Sequence, residues 1–544
     1  MDTRKLGSAS LLAAMTLSLP LAAETDAVRA NQVVAISPND TTPRILAKAG
    51  MVTPSARQMA WQRMELTAFL HFGPNTFDDR EWGTGTEDPN LFNPTALDTD
   101  QWVASLQRAG FKQAILTAKH HDGFLLYPTR YSTQSVKSSS WRGGRGNVVR
   151  SFVDSAHKFG MRVGFYLSPA DMHEALDGGR YGNGSRAVTA TIPEPGLDGT
   201  RPPGPAFTVT ADDYNRYYMN TLYELLTEYG PIDEVWWDGA NAVSGKVNAS
   251  DFPDWTRLVR GLQPNAVIFQ DGGPDVRWVG NEDGVARESE YSVLPFTGSA
   301  AGAVDRITIP ADVTATDLGS DTLLGKRNTD GTSAWNFLKW LPAECDARLE
   351  PGWFWSTNHH EPKSLADLQS MYYASVGRNC VLLLDVPPDN RGRLTDADVA
   401  RLDEFARWRS QVFGIDRAQG AHAANDDGTT NTPGNAPAHA LDGNDDTQWQ
   451  PTANTGALIV DFGAAREVNA FGLQENIRMG QRVTSFVIEA WKGGAWTTLT
   501  WGTVIGYKRL VRLSTPVTTT KLRLRITSAR GPAAIATFGA YRDG

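Results

Sequence analysis

The sequence predicts an α/β protein: a (β/α)8-like barrel followed by an all-β sandwich domain. Three observations carry this. From Thr67 to Pro388, short apolar runs alternate with amphipathic helical stretches, as in parallel strands joined by crossover helices. Polar residues capable of chemistry collect at the C-terminal ends of those runs, the catalytic face of a barrel. Beyond Ile415 helical periodicity stops, and alternating segments such as KLRLRIT (Lys521–Thr527) read as half-buried antiparallel strands.

The first element is not structural. Arg4 and Lys5 precede an apolar stretch from Leu6 to Leu21, and the small pair Ala22–Ala23 follows, which is the layout of a signal peptide over 1–23. Ser8, Ser10, Thr16, Ser18 and Pro20 interrupt the stretch, so it makes a poor permanent span. The expected product is exported, secreted or periplasmic.

The barrel domain is expected over 24–414. Its candidate strands are Thr67–Gly73, Gln113–His120, Arg162–Pro169, Glu234–Gly239, Ala266–Gly272 and Cys380–Pro387. Helical patterns cover Asp98–Ala109, Asn147–Phe159, Asp212–Tyr229, Pro253–Leu262 and Leu365–Val376. Asp98 and Asn147 are good N-caps, and Gly110, Gly160 and Gly230 stand where helices end. The sixth and seventh strands have no obvious apolar run. A Gly/Pro-rich insertion, roughly Glu174–Phe207, is too long for a simple connection and reads as a lid or subsite wall over the mouth. A helix over Thr395–Phe413 closes the domain. The sandwich, 415–544, is expected to use Ala457–Phe462, Val468–Leu473, Val483–Trp491, Trp496–Trp501 and Lys521–Thr527.

Composition narrows the function. A net charge of -9 with no basic block argues against nucleic acid and anionic membranes as partners. The two cysteines, Cys345 and Cys380, are too few for a disulfide framework; one bridge and two buried thiols both remain open. Neither has metal-ligand company, no HExxH occurs, and no metal or cofactor is expected.

Two carboxylates organise the chemistry. EVWWDGAN (Glu234–Asn241) delivers Asp238 at a strand end behind Trp236 and Trp237, and VGNEDG (Val279–Gly284) brings out Glu282 just after Trp278. Carboxylates flanked by indoles at strand ends suit a site that grips a sugar ring and breaks a glycosidic bond. Retaining glycosidases need such a pair, an ionised nucleophile and a protonated acid, about 5–5.5 Å apart. Histidine is sparse, with nine residues in all, yet His71, His120 and His121 fall at strand ends, where they can bind sugar hydroxyls. Ser168, Asp171 and Asp271 end other strands. Glu81–Trp82 repeats the pairing of acid and indole after the first strand, and LEPGWFWSTNHH adds Trp353 and Trp355.

With those residues placed, most of Gln58–Gly392 resembles glycoside hydrolase family 29, the α-L-fucosidases. LHFGPNTF, EWGTGTED, TAKHHDGF, FYLSPAD, LLTEYGPIDEVWWDGAN, RWVGNEDG, PGWFW and SVGRNCVLLLDVPPDNRG follow in the family's order. The resemblance implies hydrolysis by retaining double displacement, with Asp238 as nucleophile. The GNE segment resembles the branch that prefers α-1,3- and α-1,4-linked fucose, and implies Glu282 as general acid/base, with Glu288 and Glu290 as rivals nearby. Trp236 and Trp237, beside Asp238, would pack on the ring and keep water out; by the same resemblance His71, Glu81, Trp82, His120, His121, Tyr166, Asp171 and Trp355 would bind the sugar, and the partners would be fucosylated oligosaccharides or glycoconjugates. The region Asp416–Gly544 resembles a discoidin-like (factor 5/8 type C) module. Its ALDGNDDTQW segment resembles that family's calcium loop through Asp442, Asp445 and Thr447, but Thr537 stands where a carboxylate ligand is common. An exported fucose-binding lectin with an inactive barrel, or a barrel glycosidase for another sugar, are the alternatives.

Overall fold

The computed structural model describes residues 32–240, 246–298 and 318–544. The expected signal peptide lies outside them. Eight parallel strands form the barrel: β1 Leu66–Leu70, β2 Gln113–Lys119, β3 Arg162–Leu167, β4 Glu234–Trp236, β5 Val267–Phe269, β6 Arg277–Trp278, β7 Ala343–Arg348 and β8 Cys380–Asp385. They are ordered around the barrel as in the chain, and β8 pairs back onto β1. Between β5 and β6 no continuous ladder forms, and the edges meet through isolated bridges, Phe269 to Val276 and Gly272 to Arg277. The barrel is thus nearly closed.

The crossover helices obey the local signals. Asp98, Asn147, Asp212 and Thr395 each accept a backbone N–H three residues on, capping the helices Thr99–Arg108, Val148–Lys158, Asp213–Glu228 and Asp396–Phe413. Gly110, Gly160 and Gly230 follow helix ends with φ of 89°, 67° and 87°, a conformation costly for other residues. Each helix buries its apolar stripe on the sheet, as Phe152, Val153 and Ala156 do from Val148–Lys158.

The two strands that evaded sequence reading explain themselves. β6 has only two residues, and β7 reads AECDAR, with carboxylates where apolar side chains were sought. Inside the barrel each of those carboxylates accepts an indole N–H, as does Glu234 of β4. Trp61 donates to Glu234 at 2.9 Å, Trp236 to Glu344 at 2.9 Å and Trp278 to Asp346 at 2.8 Å. Cys345 and Cys380 form a disulfide across the neighbouring strands β7 and β8.

The insertion after β3 is anchored along the barrel wall. Its strands Val188–Ile192 and Phe207–Ala211 form an antiparallel hairpin, and Tyr131 and Asn220 pin Glu194 to the barrel wall. None of its residues lines the cavity described below.

The C-terminal domain has six antiparallel strands, His422–Asn425, Gly456–Glu475, Val483–Lys492, Ala495–Gly502, Arg509–Ala529 and Ile535–Tyr541. Two are longer than expected. The stretches Ala457–Phe462 and Val468–Leu473 belong to one strand, and Lys521–Thr527 is the end of another. Register shifts between Asp461 and Arg466 and between Val468 and Ala470 mark the irregularities where the first bends. Leu522, Leu524 and Ile526 point inward, onto a core that includes Trp449, Phe471 and Phe486. Charged pairs fasten this domain to the barrel: Arg63 to Asp446, Arg530 to Asp321, and Lys508 to Glu65.

Candidate active site

A cavity of about 460 Å³ opens at the C-terminal ends of the barrel strands, and residues within or just past β1 to β7 line it. Its floor and walls are aromatic. Trp236 stacks on Phe269 with centroids 4.0 Å apart, and Tyr166, Phe69, Trp278, Trp82 and Trp353 complete the ring. Flat apolar faces interspersed with hydrogen-bonding groups suit a pyranose, which has both kinds of surface.

Asp238 stands at the end of β4 and is fixed by two donors. Tyr166 Oη donates to Oδ2 at 2.8 Å, and the Ala240 backbone N–H donates to Oδ1 at 3.1 Å. His121 Nε2 lies 3.6 Å from Oδ2, longer than a hydrogen bond. Gly239 is needed here, because a Cβ would fall 2.1 Å from Asp271 Oδ2. Asp238 therefore presents an oriented carboxylate to the cavity.

Glu282 lines the same cavity from the turn after β6. Trp353 Nε1 donates to its Oε2 at 3.3 Å. Asn281 shapes the turn, its Oδ1 accepting the N–H groups of Asp283 at 3.0 Å and Val285 at 3.3 Å. The rivals are committed elsewhere. Glu288 pairs with Arg378 and Arg509, and its backbone carbonyl accepts from Thr503 of the C-terminal domain. Glu290 is buried between Arg277 and Arg287. Replacing Glu290 by Gln would remove the buried carboxylate that pairs with Arg277 and faces Arg287. It should cost about 3–5 kcal/mol of stability, read as a lower midpoint in urea.

The histidines form a connected rim. His71 Nδ1 meets Asp385 Oδ1 at 2.8 Å, which leaves Nε2 for the cavity. Burial pushes the Asp385 carboxyl up to about 6, against the pull of His71. His121 Nδ1 meets Ser168 Oγ at 2.7 Å, and its ring lies 4.2 Å from that of Trp82. Burial pushes His121 down to about 4 although Asp238 opposes it, and burial and the neighbouring His121 push His120 well below the usual histidine range. Both rings are neutral at neutral pH, so each can donate through one nitrogen and accept through the other. Glu81 accepts the Trp353 backbone N–H with both oxygens at 3.1 Å.

Three of the expected sugar contacts lie elsewhere. Trp237 is fully buried and packs on Phe252 and Trp255, since successive strand residues point to opposite faces and Trp236 takes the inward place. Asp171 is buried in an ion pair with Lys119 at 2.7 Å and caps the turn Met172–Ala175. Trp355 lines a separate hollow of about 270 Å³ with Asp79, Arg80 and His359, which shares only the Glu81 wall with the main cavity. Sequence reasoning gave no role to Phe69, Phe269, Asp346 or Arg348, which also line the cavity. The alternation of β7, with acids at every second position, was the available signal.

Comparison with known proteins gives this geometry its family. An α-L-fucosidase family model matches residues 54–293, and an F5/8 type C domain model matches 423–538. Alpha-L-fucosidase 1 of Arabidopsis thaliana is 37% identical over 496 residues, covering 90% of this chain and 87% of the relative. The chain belongs to the α-L-fucosidases of glycoside hydrolase family 29. A candidate α-L-fucosidase of Bacteroides ovatus superposes with a TM-score of 0.76 at 37% identity, over 94% of this chain and 78% of that one. A family 29 fucosidase of Ruminococcus gnavus, solved in complex with fucose, gives 0.75 at 28% identity, over 95% and 98% of the two chains. The second domain of this fucosidase is the discoidin-like one. Its ALDGNDDTQW turn is closed by its own bonds, Asp442 accepting from the Asn444 N–H and from Thr447 Oγ1, both at 2.8 Å.

Proposed function

We propose that the enzyme is an exported, retaining α-L-fucosidase that removes α-1,3- and α-1,4-linked fucose from branched oligosaccharides or glycoconjugates. Asp238 is the nucleophile and Glu282 the general acid/base. The observation that carries this is the convergence of those two carboxylates, from β4 and from the turn after β6, on one cavity walled by indoles and histidines. In the first step Asp238 attacks the anomeric carbon while Glu282 protonates the departing oxygen. In the second, Glu282 takes a proton from water, which displaces Asp238 and restores the starting anomeric configuration. His71, His120, His121, Glu81 and Trp82 hold the ring in place. The Cys345–Cys380 bridge supports export, since such bonds persist in oxidising compartments.

The decisive experiment incubates the enzyme with Lewis-type trisaccharides and with a 2'-fucosylated one, following the released sugar by NMR. Fucose should appear first as the α-anomer, and faster from the Lewis-type substrates. Initial release of the β-anomer would overturn the retaining assignment, and preference for the 2'-linked sugar would overturn the linkage. Binding of fucose with no release would favour the lectin, and better cleavage of galactosides would favour another glycosidase.

A further inference from the structure

Glu282 rides on a turn tied at both ends to β7. The Val279 N–H donates to the Glu344 carbonyl at 3.0 Å, the Gly284 N–H donates to the Asp346 carbonyl at 3.1 Å, and Asp283 bridges to Ala347. Glu344 and Asp346 are two residues apart on that strand, so both side chains enter the barrel. Each accepts an indole N–H from the cavity wall, from Trp236 and Trp278 respectively. They differ in one respect. Glu344 is fully buried, whereas Asp346 also lines the cavity that holds Asp238 and Glu282.

We propose that Asp346 is a positioning residue of the hydrolysis. From within β7 it holds Trp278 and the Glu282 turn in register with the sugar pocket, and so sets the reach of Glu282 to the leaving oxygen. The inference rests on Glu282 being the acid/base. Burial pushes the Asp346 carboxyl well above the usual range, and the charges of Glu282 and Asp238 push the same way while Trp278 opposes. A neutral acid here accepts the indole bond without adding a third anion beside two carboxylates that must each carry charge during turnover.

The test compares Asp346→Asn, Asp346→Ala, Trp278→Phe and Glu282→Ala on two substrates, an aryl fucoside with a good leaving group and a Lewis-type trisaccharide. Asparagine keeps a neutral group with an acceptor oxygen, so kcat should stay within about threefold of the parent on both. Alanine frees the indole and loosens the turn. It should lower kcat/KM, which reports the first step, by on the order of 10- to 100-fold on the trisaccharide, within the range of general acid catalysis. On the aryl fucoside the loss in kcat/KM should be under about threefold, because a good leaving group needs little protonation. Trp278→Phe, which keeps a ring but removes the N–H, should follow alanine, and it carries the test if the alanine variant does not fold. Equal losses on both substrates, or an asparagine variant as damaged as alanine, would overturn the proposal while Glu282→Ala still discriminates between the substrates. If Glu282→Ala itself falls equally on both, the acid/base reading fails and this inference with it.

Discussion

Asp238→Asn should lower kcat on an aryl fucoside by on the order of 10⁴-fold, which is about 5.5 kcal/mol of transition-state stabilisation. The reason is local. Tyr166 Oη and the Ala240 N–H hold the two carboxylate oxygens, so the parent group meets the sugar already oriented. An amide of the same shape keeps the Ala240 contact through its oxygen but has no charge with which to form the glycosyl bond. A leaving group that needs no help cannot compensate, because the nucleophile acts on every substrate. Fucose affinity should fall by less than about tenfold, or ~1.4 kcal/mol, because the histidine rim and the indole walls remain. Calorimetric titration of the variant with fucose measures that half, and release of the aryl chromophore measures the other. A variant that turned over within about tenfold of the parent would remove Asp238 from the mechanism.

Six barrel strands, the helices and their caps were legible because they obey local physics: apolar runs of strand length, capping side chains at helix starts, glycines just past helix ends. The two missing strands were invisible for a chemical reason. β7 buries Glu344 and Asp346, which is costly unless partners wait inside, and those partners are indoles more than sixty residues away in sequence. A single sequence shows the acids but not the tryptophans that make them tolerable. The same limit applied to the site. Asp238, Glu282 and the histidines stood out because strand-end position and residue type agreed. In sequence Trp237 reads like Trp236 because the two are adjacent, whereas the alternation of a strand sends one indole to the sugar cavity and the other to the helices. Asp171 looked like a strand-end acid and proved to be a helix cap neutralised by Lys119. Motif order located the pocket, and side-chain direction decided its lining.

Glu282→Ala should separate substrates by leaving group. On a fucosylated trisaccharide the departing oxygen is a poor leaving group, and loss of the proton donor should lower kcat/KM by about 10²–10⁴-fold. On an activated aryl fucoside bond breaking needs little protonation, so the glycosyl-enzyme should form at close to the parental rate. The second step then becomes slow, because no base removes the proton from water. The aryl substrate should therefore show a burst of one chromophore per active site followed by a low steady rate. Sodium azide, an anion that attacks without general-base assistance, should raise that steady rate and yield an α-fucosyl azide, since Asp238 still occupies the opposite face. Trp353 should sharpen the contrast. Its indole N–H reaches Glu282 at 3.3 Å, and the Glu81 carboxylate fixes its backbone. Trp353→Phe keeps the wall but drops that bond, so it should reproduce a fraction of the same leaving-group dependence with no burst. A Glu282→Ala variant that lost both substrates equally and ignored azide would assign the acid/base role to another residue of the cavity. Glu81, Asp271 and Asp346 are the other carboxyl groups that line it.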